Sequence, residues 1–288
     1  MRNRILIPSL IVLIAIIFIF GLSVGVYKIF PYGILDSSLD IIKEDTSVKN
    51  NQFIMQADLD SLIEIDDRSD IDQKRNDLIE FFWNVESLHR LQSAEQLLEI
   101  ESDIPDSRYD DFQNLKQIDK LTIEMEYGIN SVSYLLLPEE SNEKLILYHH
   151  GHDGDFLLGK DTIQFFLERN FTVLAMTMPL VGMNNQPTVE IDGIGEMKLV
   201  SHDQLRFLEK NSFNPMKLFI HPIQVSLNFL EKEYDFKRYS IIGLSGGGWT
   251  GIVYSAIDDR ISDSFSVASS MPFYLRVDER DIGDYEQT

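Results

Sequence analysis

The run Tyr239-Ser240-Ile241-Ile242-Gly243-Leu244-Ser245-Gly246-Gly247-Gly248-Trp249 constrains this chain more than any other segment. A short apolar strand leads straight into G-x-S-x-G, and a helical pattern follows from Thr250 to Asp258. So abrupt a strand-to-helix turn needs glycine at 243 and 247, because a side chain there would collide inside the bend. It holds Ser245 away from the backbone with its hydroxyl exposed, which is the posture of a nucleophile. Gly246 opens the helix, so its N–H lacks a partner within the helix and can stabilise an oxyanion.

Charge divides the chain. The formal net charge is −22, and residues Asp36 to Asp111 hold 21 acids against seven bases, a net of −14. An acidic surface of this kind repels phosphate, so nucleic acid is not an expected partner. With no cysteine, the chain has neither disulfides nor thiolate chemistry. From Ile5 to Tyr27 no residue is charged, and Ile, Leu, Val and Phe dominate. That run is long enough to cross a hydrocarbon core of about 30 Å as a helix. Arg2 and Arg4 precede it, while Asp36 and Asp40 follow. The positive-inside rule then puts the N-terminus in the cytoplasm and the bulk outside, as a single-pass membrane protein. A cleaved signal peptide ending near Ser23-Val24-Gly25 is the alternative, although the apolar run exceeds a usual signal core.

Three regions are expected: a transmembrane anchor over 1–28, an acidic and largely helical segment over 29–115, and a catalytic-type domain over 116–288. Apolar residues from Ile71 to Leu98 recur at threes and fours and predict helix from Asp70 through Ile100. The acidic run Asp66 to Asp72 lacks the central glycine and alternating ligands of a calcium loop, so it reads as a solvated face. His89 reads as a packing or surface residue. Strands are expected at Lys120–Tyr127, Ser131–Leu137, Lys144–His149, Phe171–Met176, Tyr239–Leu244 and Ile261–Val267. Helices are expected at Lys160–Arg169 and Met216–Glu233, with an irregular stretch from Pro179 to Pro215. Strands alternating with helices after residue 143 imply an α/β fold, a mainly parallel sheet with helices on both faces.

Tyr148-His149-His150-Gly151-His152-Asp153-Gly154 follows an apolar strand. Its glycines let the backbone aim N–H groups at a substrate carbonyl, as an oxyanion loop does. Two other readings stay open: a metal site built from His150 and His152 with Asp153 or Asp155, and a plain structural turn. This segment, the strand end Leu174-Ala175-Met176-Thr177-Met178-Pro179 and Gly243-Leu244-Ser245-Gly246-Gly247 occur in the order seen in α/β-hydrolases. From Lys144 to Ala268 the chain resembles the esterase-like, acetylxylan-esterase-related branch of that superfamily. The resemblance implies Ser245 as nucleophile and backbone oxyanion donors from Gly246 and from Gly151–His152. It also implies a small-molecule acyl ester as substrate, with neither cofactor nor metal.

The chain departs from that pattern in one respect. In this fold the order is serine, acid, histidine, yet no histidine follows Ser245; the last is His221. The sheet reads as incomplete after its sixth strand, with the catalytic acid and base lost beyond a C-terminal truncation. His150, His152 and His202 are the substitutes for the base, while His202 and His221 also fit packing roles. Trp249, Met176, Met178 and Met183 read as core residues or as the lining of an acyl pocket. The function expected is a membrane-anchored serine hydrolase of carboxylesterase type. The alternatives are a non-catalytic binding or scaffold protein on the same fold and a metal-dependent hydrolase.

Overall fold

The computed structural model describes residues 17–21, 58, 61, 63–85, 98–272, 276 and 283–287. Ile63–Pro272 together with Asp278–Thr288 forms one compact unit; Met1–Leu62 with Phe273–Val277 forms another. In the second of these, Ile17–Gly21 is helical and exposed. The rest of the apolar segment Ile5 to Tyr27 lies outside the described residues, as does His89. Among the described residues no helix is long and apolar enough to cross a membrane.

The larger unit is built on a seven-stranded sheet. Its strands are β1 (Leu98–Glu101), β2 (Leu115–Glu124), β3 (Asn130–Pro138), β4 (Lys144–His149), β5 (Thr172–Met176), β8 (Arg238–Leu244) and β9 (Ile261–Val267). β6 (Thr188–Ile191) and β7 (Gly195–Lys198) form a separate antiparallel ribbon. The sheet order is β1-β2-β3-β5-β4-β8-β9. Pairing is antiparallel from β1 to β5 and parallel from β5 to β9. The sheet is therefore mixed rather than mainly parallel: β2 and β3 join through a short turn, and only the strands from β4 onwards through helical crossovers.

Alternation along β4 divides the core between two faces. Leu145 and Leu147 join a cluster with Leu218, Ile223, Leu227 and Tyr254, supplied by α3 (Lys217–Glu233) and α4 (Gly246–Ile257). Ile146 and Tyr148 join Ile163 and Leu167 of α2 (Lys160–Leu167) on the other face. β4 and β5 are buried on both faces, which explains their unbroken apolar runs. At the opposite edge, Phe265 and Val267 of β9 are exposed.

The acidic segment departs from its expected form. Helix α1 spans only Arg68–Trp83 and stops at Asn84, whose left-handed φ of 55° lets its N–H cap the Glu80 carbonyl. Leu98 to Ile100, expected as the end of a helix, instead belong to the strand Leu98–Glu101, which adds a seventh member to the sheet. β2 begins at Leu115, earlier than predicted, so a boundary at 115/116 falls inside a strand. The carboxylates of Asp67 and Asp70 form a capping box at the start of α1, which gives that acidic run a structural task. Ile79 and Phe82 are buried in the main core, and the Trp83 indole N–H donates to His221 Nδ1 at 3.0 Å. Burial also pushes His221 down to about 4.

Because Phe82 is buried within the sheet's own core, Phe82→Ala is expected to cost about 3–5 kcal/mol. Urea unfolding measures it. A change under about 0.5 kcal/mol, the usual range for surface substitutions, would show that α1 is not part of that core.

Candidate active site

The site forms where the carboxyl ends of β4, β5 and β8 lie side by side. His149 is in register with Gly243 on one side and Met176 on the other. Past β8 the chain turns within one residue: Ser245 has φ 55° and ψ −125°, far from the usual wells of a residue with a side chain. Its N–H donates to the Val267 carbonyl at 2.9 Å, and its own carbonyl accepts from Gly248 and Trp249. The glycines follow from close contact. A Cβ at Gly243 would stand 2.1 Å from the Gly247 oxygen, and one at Gly247 would stand 2.2 Å from the His149 oxygen.

The loop after β4 lies directly against this turn. A Cβ at Gly151 would fall 2.7 Å from Ser245 Cβ and 3.2 Å from the Gly246 nitrogen. The loop is fixed by His150 N–H donating to the Met176 carbonyl at 2.8 Å, and by the Thr177 hydroxyl donating to the carbonyls of Gly151 and Gly154. Ser245, Gly246, Gly151 and His152 are thus brought together. As the first residue of α4, Gly246 has an N–H that the helix cannot satisfy.

The histidines separate into different roles. His149 is buried and its Nδ1–H donates to the His150 carbonyl; burial pushes it down to about 4. His150 is buried against the Tyr148 hydroxyl at 3.1 Å, and burial lowers its pKa. Among the described residues His150 joins no metal-ligating cluster with Asp153 or Asp155; Asp155 caps the turn at Leu157 and faces Arg108. The ring of His152 crosses over Gly246, where a Cβ would lie 2.4 Å from Cε1 and 2.6 Å from Nδ1. Its Nε2 faces Glu286 Oε1 at 2.9 Å, Asp284 Oδ2 at 3.0 Å and His202 Nδ1 at 3.1 Å. Burial works against a charge on His152, but Glu286 and Asp284 raise its pKa. Glu286 is buried as well, yet hydrogen bonds from His152 and His202 hold it well below the carboxylate range. His202, 4% exposed, donates from Nε2 to the Pro179 carbonyl at 2.8 Å and turns Nδ1 to Glu286 Oε2 at 3.2 Å.

No protein-family model and no curated protein matches the chain. Solved structures do. Acetyl xylan esterase 1 from Thermoanaerobacterium sp. superposes with a TM-score of 0.51 at 19% identity, covering 76% of this chain and 64% of that one. A candidate acetyl xylan esterase from Bacteroides fragilis gives 0.50 at 15% identity, covering 68% and 52%. An acetyl xylan esterase from Paenibacillus sp. gives 0.47 at 15%, covering 78% and 70%. The chain spans less than two thirds of the length of the first two. It has an α/β-hydrolase fold.

Within that hydrolase fold, Ser245 occupies the strand-to-helix elbow and Gly151 the adjoining loop. Met176 and Met178 are core residues, and Trp249 packs edge-on against Phe219. Sequence reasoning missed Asp284 and Glu286. They sit in a polar tail without periodicity, and nothing in the sequence ties that tail to His152 and His202.

At Gly247 the obstructing atom is backbone, so no side chain can yield. Gly247→Ala is expected to cost about 4 kcal/mol or more, in the range of the severest single substitutions. Chemical denaturation of the variant checks this; near-native stability would mean that the elbow is looser than drawn.

Proposed function

We propose that this chain is a membrane-anchored serine hydrolase of carboxylesterase type that acts on a small acyl ester. The observation that carries the reading is the strained backbone of Ser245, locked at the end of β8 by glycines and by the Val267 carbonyl. Strain of about 1–3 kcal/mol persists only where its surroundings enforce it, and it concentrates at functional sites.

In the proposed reaction, Ser245 Oγ attacks the ester carbonyl carbon while its proton passes to His152 Nδ1, on the ring edge that lies over Gly246. Nε2–H donates to Glu286 and Asp284, which leaves Nδ1 as the acceptor. The oxyanion takes hydrogen bonds from the Gly246 N–H and from the Gly151–His152 backbone. Collapse of the tetrahedral intermediate expels the alcohol, which recovers the proton from His152. Water then attacks the acyl-serine, gives a proton to His152, and releases the acid with Ser245 restored. The roles match a serine–histidine–acid triad, drawn in the chain order His152, Ser245, Glu286.

Labelling by a fluorophosphonate probe and hydrolysis of p-nitrophenyl acetate test the assignment. Ser245→Ala should abolish both. His152→Asn should lower the rate about 10²–10⁴-fold, the usual contribution of a positioned general base. Labelling that persists in Ser245→Ala would move the nucleophile elsewhere. An unchanged rate in His152→Asn would remove that ring from the mechanism. A wild-type chain that neither labels nor hydrolyses would favour a binding role for the fold.

The anchor is a separate component of the proposal, supported by the uncharged run Ile5 to Tyr27 behind Arg2 and Arg4. On alkaline carbonate extraction the protein should stay with the membrane pellet; recovery in the supernatant would refute anchoring.

A further inference from the structure

We infer that His152, His202, Asp284 and Glu286 form a binding site for a divalent cation of zinc type, set against the elbow. Each of the four offers one ligand atom, and these atoms all lie within 4.8 Å of one another. His152 Nε2 is at their centre, 2.9–3.1 Å from an atom of each of the others. A tetrahedral zinc site with bonds of about 2.0–2.1 Å separates its ligand atoms by about 3.3–3.4 Å. The three pairs that include His152 Nε2 would open by a few tenths of an ångström, and the widest pair, up to 4.8 Å apart, would close by about 1.4 Å to seat the ion. Two imidazoles with two carboxylates is a donor set suited to zinc.

The support around the ligands points the same way. His202 Nε2–H donates to the Pro179 carbonyl at 2.8 Å, which turns Nδ1 towards Glu286 Oε2 and His152 Nε2. Locking the outer nitrogen of a ligating histidine on a backbone carbonyl is the usual support around a metal. Glu286 is 2% exposed, whereas Asp284 is open to solvent and gives an entry route.

The ion would also act on the reaction proposed above, and this second consequence rests on that reading. A cation on His152 Nε2 leaves the ring proton on Nδ1, facing Gly246. The ring then donates where it had accepted, and Ser245 loses its base. The site is therefore an inhibitory one.

Zinc titrated calorimetrically into the metal-free full chain should bind with one ion per chain. Asp284→Asn and His202→Gln should each weaken it tenfold or more, and His150→Gln should not. Asp284 is exposed enough that its variant should fold normally, as circular dichroism would confirm. Absence of saturable binding, or wild-type affinity in both ligand variants, overturns the site. So does a matching loss in His150→Gln. Ser245→Ala should bind zinc as the wild type does, which keeps the site testable if the hydrolase reading fails. Zinc that binds stoichiometrically while leaving fluorophosphonate labelling unchanged would support the site and overturn His152 as the base.

Discussion

The close approach of two backbones at the ends of β4 and β8 governs this molecule. Parallel strands lie about 4.8 Å apart, and here both chains turn out of the sheet at the same level. His149–Gly151 and Gly243–Gly247 then occupy space that tolerates no Cβ on the facing residues. The left-handed Ser245, the free N–H of Gly246 and the apposition of Gly151 all follow from that contact. The sheet supplies its rigidity: β4 and β5 are buried on both faces, and the Val267 carbonyl at the end of β9 holds the Ser245 amide. Phe82 and Trp83, distant in sequence, help to close the core beneath α3 and α4.

The elbow was legible because it is local. Glycine spacing, the apolar run Ile241-Ile242 and the helical pattern after Thr250 lie within one short stretch, and each carries its own steric reason. The His150–Gly154 segment was legible for the same reason, although composition could not separate an oxyanion loop from a metal loop. The structure separates them through long-range partners: Tyr148 takes His150, while residues near the C-terminus take His152. Leu98–Glu101 escaped because apolar periodicity at threes and fours continues past Asn84, whereas one residue in the left-handed region ends the helix. The order β3-β5-β4 could not be read at all, since nothing local tells β5 to insert between two sequence neighbours.

Polar groups are placed with economy where the chain is acidic. The run Asp66 to Asp72 spends two carboxylates on capping α1. Asp258, deep in the core, is buried, which opposes ionisation; Arg260 and the Tyr254 hydroxyl nevertheless hold it charged. Glu286 lacks an arginine of that kind and relies on two imidazoles. Two buried acids thus have different counter-groups: a permanent cation at the structural position, and titratable rings beside the elbow.

The inclusion of α1 and β1 in the sheet's own unit bears on where the chain can be divided. A cut at residue 116 would look natural from charge alone, since the acidic excess lies upstream. Such a fragment would start one residue into β2, lose its outermost pairing and expose Ile123 and Leu121 along a new free edge. It would also empty the socket that Ile79 and Phe82 fill, and leave His221 without the Trp83 indole. The smallest piece that keeps these walls intact begins near Ile63, so α1 and β1 act as masonry rather than tether.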